Sequence, residues 1–119
     1  MKYFPCLFVI SLLSLTACKK TCTTLPDSFS SIQEAKSQIK SASFYYSDSA
    51  RSFTSEWVSK AEFLSCDKEV GFFTYDTRKG QSYTHQGVPM ALWKEYKKAE
   101  SKGTFINRKL KGKYRLVLK

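Results

Sequence analysis

The stretch GQSYTHQGVPMALWKEYKKAESKG, Gly80 to Gly103, changes its hydrophobic period halfway along. Gln81 to His85 reads as a strand, with aromatic and β-branched residues between turn signals. Beyond Pro89, Leu92, Trp93, Tyr96 and Ala99 recur at helical spacing and make one apolar stripe. Pro89 suits the first turn of that helix, and Lys97, Lys98 and Lys102 gather toward its negative end. Gly103 stands where a left-handed residue would stop it. A strand that hands over directly to an amphipathic helix calls for a sheet with that helix laid on one face.

Upstream, Glu56 to Cys66 and Val70 to Tyr75 are further strand candidates, parted by Asp67-Lys68-Glu69 and closed by Asp76 to Gly80. Phe44-Tyr45-Tyr46 reads as a strand and Asp48-Ser49-Ala50 as a turn. Turns this short imply antiparallel hairpins and not crossover units. Ser31 with Glu34 three later forms a capping-box pattern, and Ile32, Ala35, Ile39 and Ala42 follow at helical spacing, so a helix is expected from about Ser30 to Lys40. In the tail, Leu110, Gly112, Tyr114, Leu116 and Leu118 alternate with Lys109, Lys111, Lys113, Arg115 and Lys119, Val117 being the exception. Period two predicts a half-buried strand with a cationic outer face. The expected architecture is α+β: a small antiparallel β-meander packed against a C-terminal helix, with an N-terminal helix and a final basic strand.

The chain has 119 residues, room for one domain, and 20 Lys and Arg against 10 Asp and Glu, a formal net charge of +10. Such a surplus favours anionic partners. Met1-Lys2, the apolar run from Leu7 to Leu15 and the small residues before Cys18 have the layout of a bacterial export signal. The run is shorter than the ~20 residues a permanent bilayer span needs. Leu15-Thr16-Ala17-Cys18 resembles the lipobox of bacterial lipoproteins. Cys22 and Cys6 do not fit it, since Lys19 and Tyr3 stand three places before them. The resemblance implies removal of residues 1–17, acylation of Cys18 as the new N-terminus, and membrane attachment through it. Lys19 in the next position resembles the pattern that sorts Gram-negative lipoproteins to the outer membrane, on its periplasmic side. Residues 18–27 then form a tether, 28–54 an N-terminal helix and strand extension, and 55–119 the main domain. Cys22 and Cys66 remain, in a compartment that permits disulfides; a bridge between them and two separate thiols are both open.

The residues offer little for catalysis. His85 is the single histidine, and Cys22 and Cys66 cannot supply four zinc ligands. There is no Gly-rich phosphate loop and no nucleophile elbow, although a Ser-His-Asp set using His85 and Asp76 can be written on paper. The expectation is a non-enzymatic protein without cofactor or metal. Tyr83 and His85 are two apart on a strand and share a face. That face is either a small stacking platform for a base or sugar ring, or core beneath the helix. With Lys102, Arg108, Lys109, Lys111, Lys113 and Arg115, the pair forms the candidate binding surface.

GQSYTHQGVP followed by ALWKEYKKAESKGTFINRKLKGKY resembles the KTSC domain, named for its occurrence at the C-terminus of some lysyl-tRNA synthetases. Val88-Pro89, Ala99, Ser101, Lys102, Gly103, Phe105, Asn107, Lys111, Gly112 and Tyr114 carry the pattern. Upstream, SEWVSKAEF from Ser55 resembles the family's opening strand. The family's Tyr-x-Tyr centre is Tyr83-Thr84-His85 here, with an imidazole in place of the second phenol, and the chain continues past Tyr114. The synthetase association implies RNA binding. Combined, the readings give a lipid-anchored envelope protein whose basic domain contacts an anionic envelope component or an envelope protein; the alternative is a nucleic-acid (RNA) binding module.

Overall fold

The change of period at Pro89 is where the sixth strand passes into the second helix. The computed structural model describes residues 20–119. The leader, the lipobox and Cys18 lie outside the described residues. In chain order the elements are β1 (Lys20–Thr21), a 3-10 turn (Cys22–Thr24), α1 (Ile32–Ser41), β2 (Ala42–Ser43), β3 (Tyr46–Arg51), β4 (Val58–Ser65), β5 (Val70–Thr77), β6 (Ser82–Pro89), α2 (Met90–Lys98), α3 (Lys102–Phe105) and a π-helical turn (Ile106–Leu110). No described helix is long and apolar enough to cross a membrane.

Strands β3, β4, β5 and β6 form one antiparallel meander in sequence order, the α+β layout expected from the short turns. A two-residue parallel pair, β1 with β2, stands apart from it. Register places Ala61 opposite Tyr75, Phe63 opposite Phe73 and Phe73 opposite His85, so these side chains share one face. α2 lies on that face. Trp93 and Tyr96 are fully buried, Trp93 stacking on Phe63 at 5.7 Å and meeting Phe73 edge-on at 5.3 Å. Phe73 also meets Tyr96 edge-on at 5.0 Å. Each such aromatic pair contributes about 0.5–1.5 kcal/mol beyond the area it buries. On the opposite face α1 buries Ala35 and Ile39 with Phe29, against Leu64, Phe72 and Leu116. The sheet is thus covered on both sides. α1 starts as the capping box predicts, Ser31 Oγ accepting the Glu34 amide at 3.1 Å.

Three expectations are corrected. Asp48-Ser49-Ala50 is not a turn but the middle of β3, paired with Phe63, Glu62 and Ala61. Asp48 points toward α2, where its Oδ2 accepts the Trp93 indole N–H at 2.9 Å and Lys97 Nζ at 2.6 Å, a tertiary demand that outweighs its local turn preference. Gly103 does not end α2. The helix stops at Lys98, with Ala99 extended at φ −67°, ψ 139°, while Gly103 is buried inside α3. It is glycine because a Cβ there would overlap the Trp57 indole. The final basic strand is also absent as a sheet strand. Ile106 and Leu110 are buried four apart on the π-helical turn, so Leu110 belongs to a helical pattern that the alternation had counted as strand. Gly112 then turns the chain at φ +76°, and the tail makes one isolated bridge, Leu118 to Phe29. Tyr114 and Leu116 still face inward and Lys113 and Arg115 outward.

Candidate functional site

α2 covers only part of its sheet face. Tyr75 and Thr77 of β5 and Tyr83 and His85 of β6 continue the Phe73 face beyond the helix, and the tail and Trp57 close in from the sides. A cleft of about 950 Å³ runs from here around the β6 edge of the sheet to Ile32 and Lys36 of α1. Its aromatic wall is continuous: Tyr75 lies 5.4 Å from the Tyr83 ring, 5.7 Å from His85 in a near-parallel stack at 15°, and 5.8 Å from Trp57 edge-on. Tyr75 is almost fully buried, whereas Trp57 is 38% and Tyr83 43% exposed. Two accessible rings therefore stand on either side of a buried phenol. Burial, followed by the neighbouring Tyr83, raises the Tyr75 hydroxyl above its ordinary pKa.

Tyr83 and His85 divide between the two readings of their shared face. Tyr83 is accessible; His85, opposite Phe73, is 9% exposed. Its Nδ1 lies 3.0 Å from the Tyr114 carbonyl, which can only accept, so Nδ1 carries the proton and Nε2 the lone pair. Burial depresses the imidazole pKa, and the Tyr114 carbonyl opposes this to a lesser degree. Nε2 is buried and has no hydrogen-bond partner among the described residues. Asp76 is one residue on from Tyr75 and faces the other side of the sheet, bonded to Ser82 Oγ at 2.7 Å, so the Ser-His-Asp set written from the sequence is not assembled. Among the described residues, no three His, Cys, Asp or Glu side chains gather as a metal site.

The cleft's lining includes Lys36, Arg78, Lys79, Lys111 and Arg115, and no Asp or Glu. Lys36 reaches from α1 to donate to the Ser82 carbonyl at 2.7 Å. Arg78 donates through Nε to the Glu56 carbonyl at 2.7 Å and through Nη2 to the carbonyls of Ser52 and Phe53, holding the β3–β4 loop beside Trp57. Lys111 Nζ sits 5.5 Å from the Trp57 ring centre. The structure thus brings together Tyr83, His85, Lys111 and Arg115 of the candidate surface. It does not gather Lys102, Arg108, Lys109 and Lys113. Lys102 Nζ donates to the Lys97 and Ala99 carbonyls at the end of α2, and Lys113 Nζ donates to the Arg108 carbonyl. Arg108 and Lys109 are exposed on the π-helical turn, away from the cleft. Cys22 and Cys66 are joined by a disulfide, with Cα atoms 5.8 Å apart.

Lys36, Trp57, Tyr75, Arg78 and Lys79 also line the cleft, and nothing in the sequence marks them as binding residues. Trp57 and Tyr75 look like ordinary strand aromatics there. Arg78-Lys79-Gly80 looks like hairpin punctuation, and Lys36 lies on a helix whose direction only tertiary packing fixes.

Residues 70–114 match the family model of the KTSC domain. The match runs from β5 to Tyr114 and includes Tyr75, Tyr83, His85 and Lys111; the resemblance from Ser55 lies ahead of it. No curated protein and no solved structure matches the chain.

Proposed function

We propose that this KTSC-domain protein is anchored to the cell envelope by acylation of Cys18 and acts by binding, not catalysis, presenting its cationic cleft to an anionic component of the envelope or to an envelope partner. The observation that carries the reading is the Cys22–Cys66 disulfide. Structural disulfides persist in oxidising compartments outside the cytosol, which is where the export signal and lipobox would deliver the chain. Cys22 lies four residues past Cys18, so the disulfide ties the base of the tether to the end of β4. A domain held this close to a bilayer gains roughly 1 kcal/mol for each Lys or Arg near an anionic surface. One or more acyl chains at ~0.8 kcal/mol per buried methylene supply the attachment. The test is fractionation of cells expressing wild type and Cys18→Ala. Wild type in the membrane fraction, extractable only with detergent, and a changed distribution in the variant is expected. Wild type in the soluble cytosolic fraction would refute the reading.

A nucleic-acid-binding role is the second reading, favoured by the exposed Tyr83 and Trp57 rings beside the cations. It requires affinity that falls steeply with salt as counterions leave the phosphates.

A further inference from the structure

The cleft combines three features that restrict the chemistry of what fills it. The two accessible rings, Trp57 and Tyr83, flank buried Tyr75 and offer apolar faces for a flat or puckered ring. The rim cations are Lys79, Lys111 and Arg115, since Lys36 and Arg78 already donate to backbone carbonyls, and no carboxylate lines it. In the wall, His85 is nine-tenths buried and its Nε2 lacks a partner, while Nδ1 is committed to the Tyr114 carbonyl. Nε2 is itself closed off from the cleft, so the imidazole contributes to the wall as a ring stacked on Tyr75 and not as an acceptor.

We infer that the cleft binds a sugar ring bearing a carboxylate or phosphate, its apolar face against Tyr83 or Trp57 and its anionic group on the Lys79–Arg115 rim. A long polyanion fits less well. It would need a continuous track of cations, whereas Lys102 and Lys113 spend their ammonium groups on backbone carbonyls and Arg108 and Lys109 stand elsewhere. An acyl chain would bring no charge to the rim. The inference rests on the reading of the protein as a binder, but not on its anchoring.

The experiment is an NMR titration of the full chain in mild detergent, wild type and Cys18→Ala side by side. The probes are a galacturonic acid trisaccharide, glucose 1-phosphate, the neutral galactose trisaccharide, inorganic phosphate and a short single-stranded RNA. Expected is saturable movement of the Trp57, Tyr83 and His85 resonances with at least one acidic sugar. The neutral sugar and inorganic phosphate should bind at least tenfold more weakly. The two acidic probes distinguish a carboxylate source from a phosphate source. Tyr83→Ala, at an exposed position, should weaken binding about tenfold by removing the ring face. Equal binding in wild type and Cys18→Ala separates the cleft's ligand from the question of attachment. No binding of either acidic sugar up to about 10 mM, inorganic phosphate binding as well as the sugars, or RNA binding the same residues more tightly would each overturn the inference.

Discussion

Asp48→Ala should be one of the most costly single changes at a partly exposed position of this domain. Asp48 Oδ2 accepts the Trp93 indole N–H at 2.9 Å and Lys97 Nζ at 2.6 Å, and Trp93 is completely buried. Truncation leaves the indole N–H without its partner in a dry ring cluster, a loss of about 1–3 kcal/mol. It also removes an ion pair whose side chains are 40% and 29% exposed, worth roughly 0.2–1 kcal/mol. The sum is about 1–4 kcal/mol. For a domain near 100 residues this lowers the thermal midpoint by roughly 5–30 °C. Lys97→Ala removes only the ion pair and should cost less than about 1 kcal/mol. Urea unfolding followed by tryptophan fluorescence, with m-values compared to exclude altered compactness, measures both. Equal costs for Asp48→Ala and Lys97→Ala would refute the argument that the indole N–H sets the conformation of β3 at Asp48.

Reducing the Cys22–Cys66 disulfide, which spans 44 residues of sequence, should destabilise the domain by about 2–4 kcal/mol, seen as a lower thermal midpoint in dithiothreitol; coincident oxidised and reduced transitions would contradict this. Gly103→Ala should cost about 1–3 kcal/mol and alter the near-UV circular dichroism of Trp57, because the added methyl meets a rigid ring; an unchanged spectrum and stability would show that the ring moves aside freely. Stability should fall in two pH windows. His85 has a depressed folded pKa, so the unfolded chain binds its proton first, and stability declines as pH drops below about 6.5, levelling once the folded pKa is passed. The Asp48 carboxyl is lowered by Lys97 and then Trp93, so its contribution is present above its unfolded pKa of 3.8 and is lost as pH falls through the lower folded value. His85→Gln should erase the first slope and leave the second, as read by urea midpoints at stepped pH.

Much of this fold is written locally. The capping box at Ser31–Glu34 starts α1 one turn ahead of its buried residues, and Asp67 closes the β4–β5 turn by accepting the Glu69 and Val70 amides. The Leu92–Trp93–Tyr96 stripe gives α2 and its buried face. What the local pattern misreads is decided by long-range partners. Asp48 has turn chemistry, yet an indole 45 positions away fixes it in a strand. Gly103 has stop-signal chemistry, but the nearby Trp57 indole makes glycine necessary inside a helix. The tail alternates like a strand because Leu110 falls in phase by coincidence with Tyr114 and Leu116, although Leu110 and Ile106 are buried on one helical turn. The site is legible in the same proportion. Tyr83, His85, Lys111 and Arg115 come from the segment whose periods are clear. Lys36, Trp57 and Arg78 arrive from α1, the β3–β4 loop and a hairpin tip, whose meeting depends on the folded sheet.

The measurement that bears most directly on the account is the intact mass of the protein isolated from cells without reductant. The proposal predicts a chain beginning at Cys18, carrying the added mass of a diacylglyceryl group with or without a further acyl chain, and lacking the two hydrogens removed by the Cys22–Cys66 disulfide. A full-length, unacylated mass with both thiols free would contradict it.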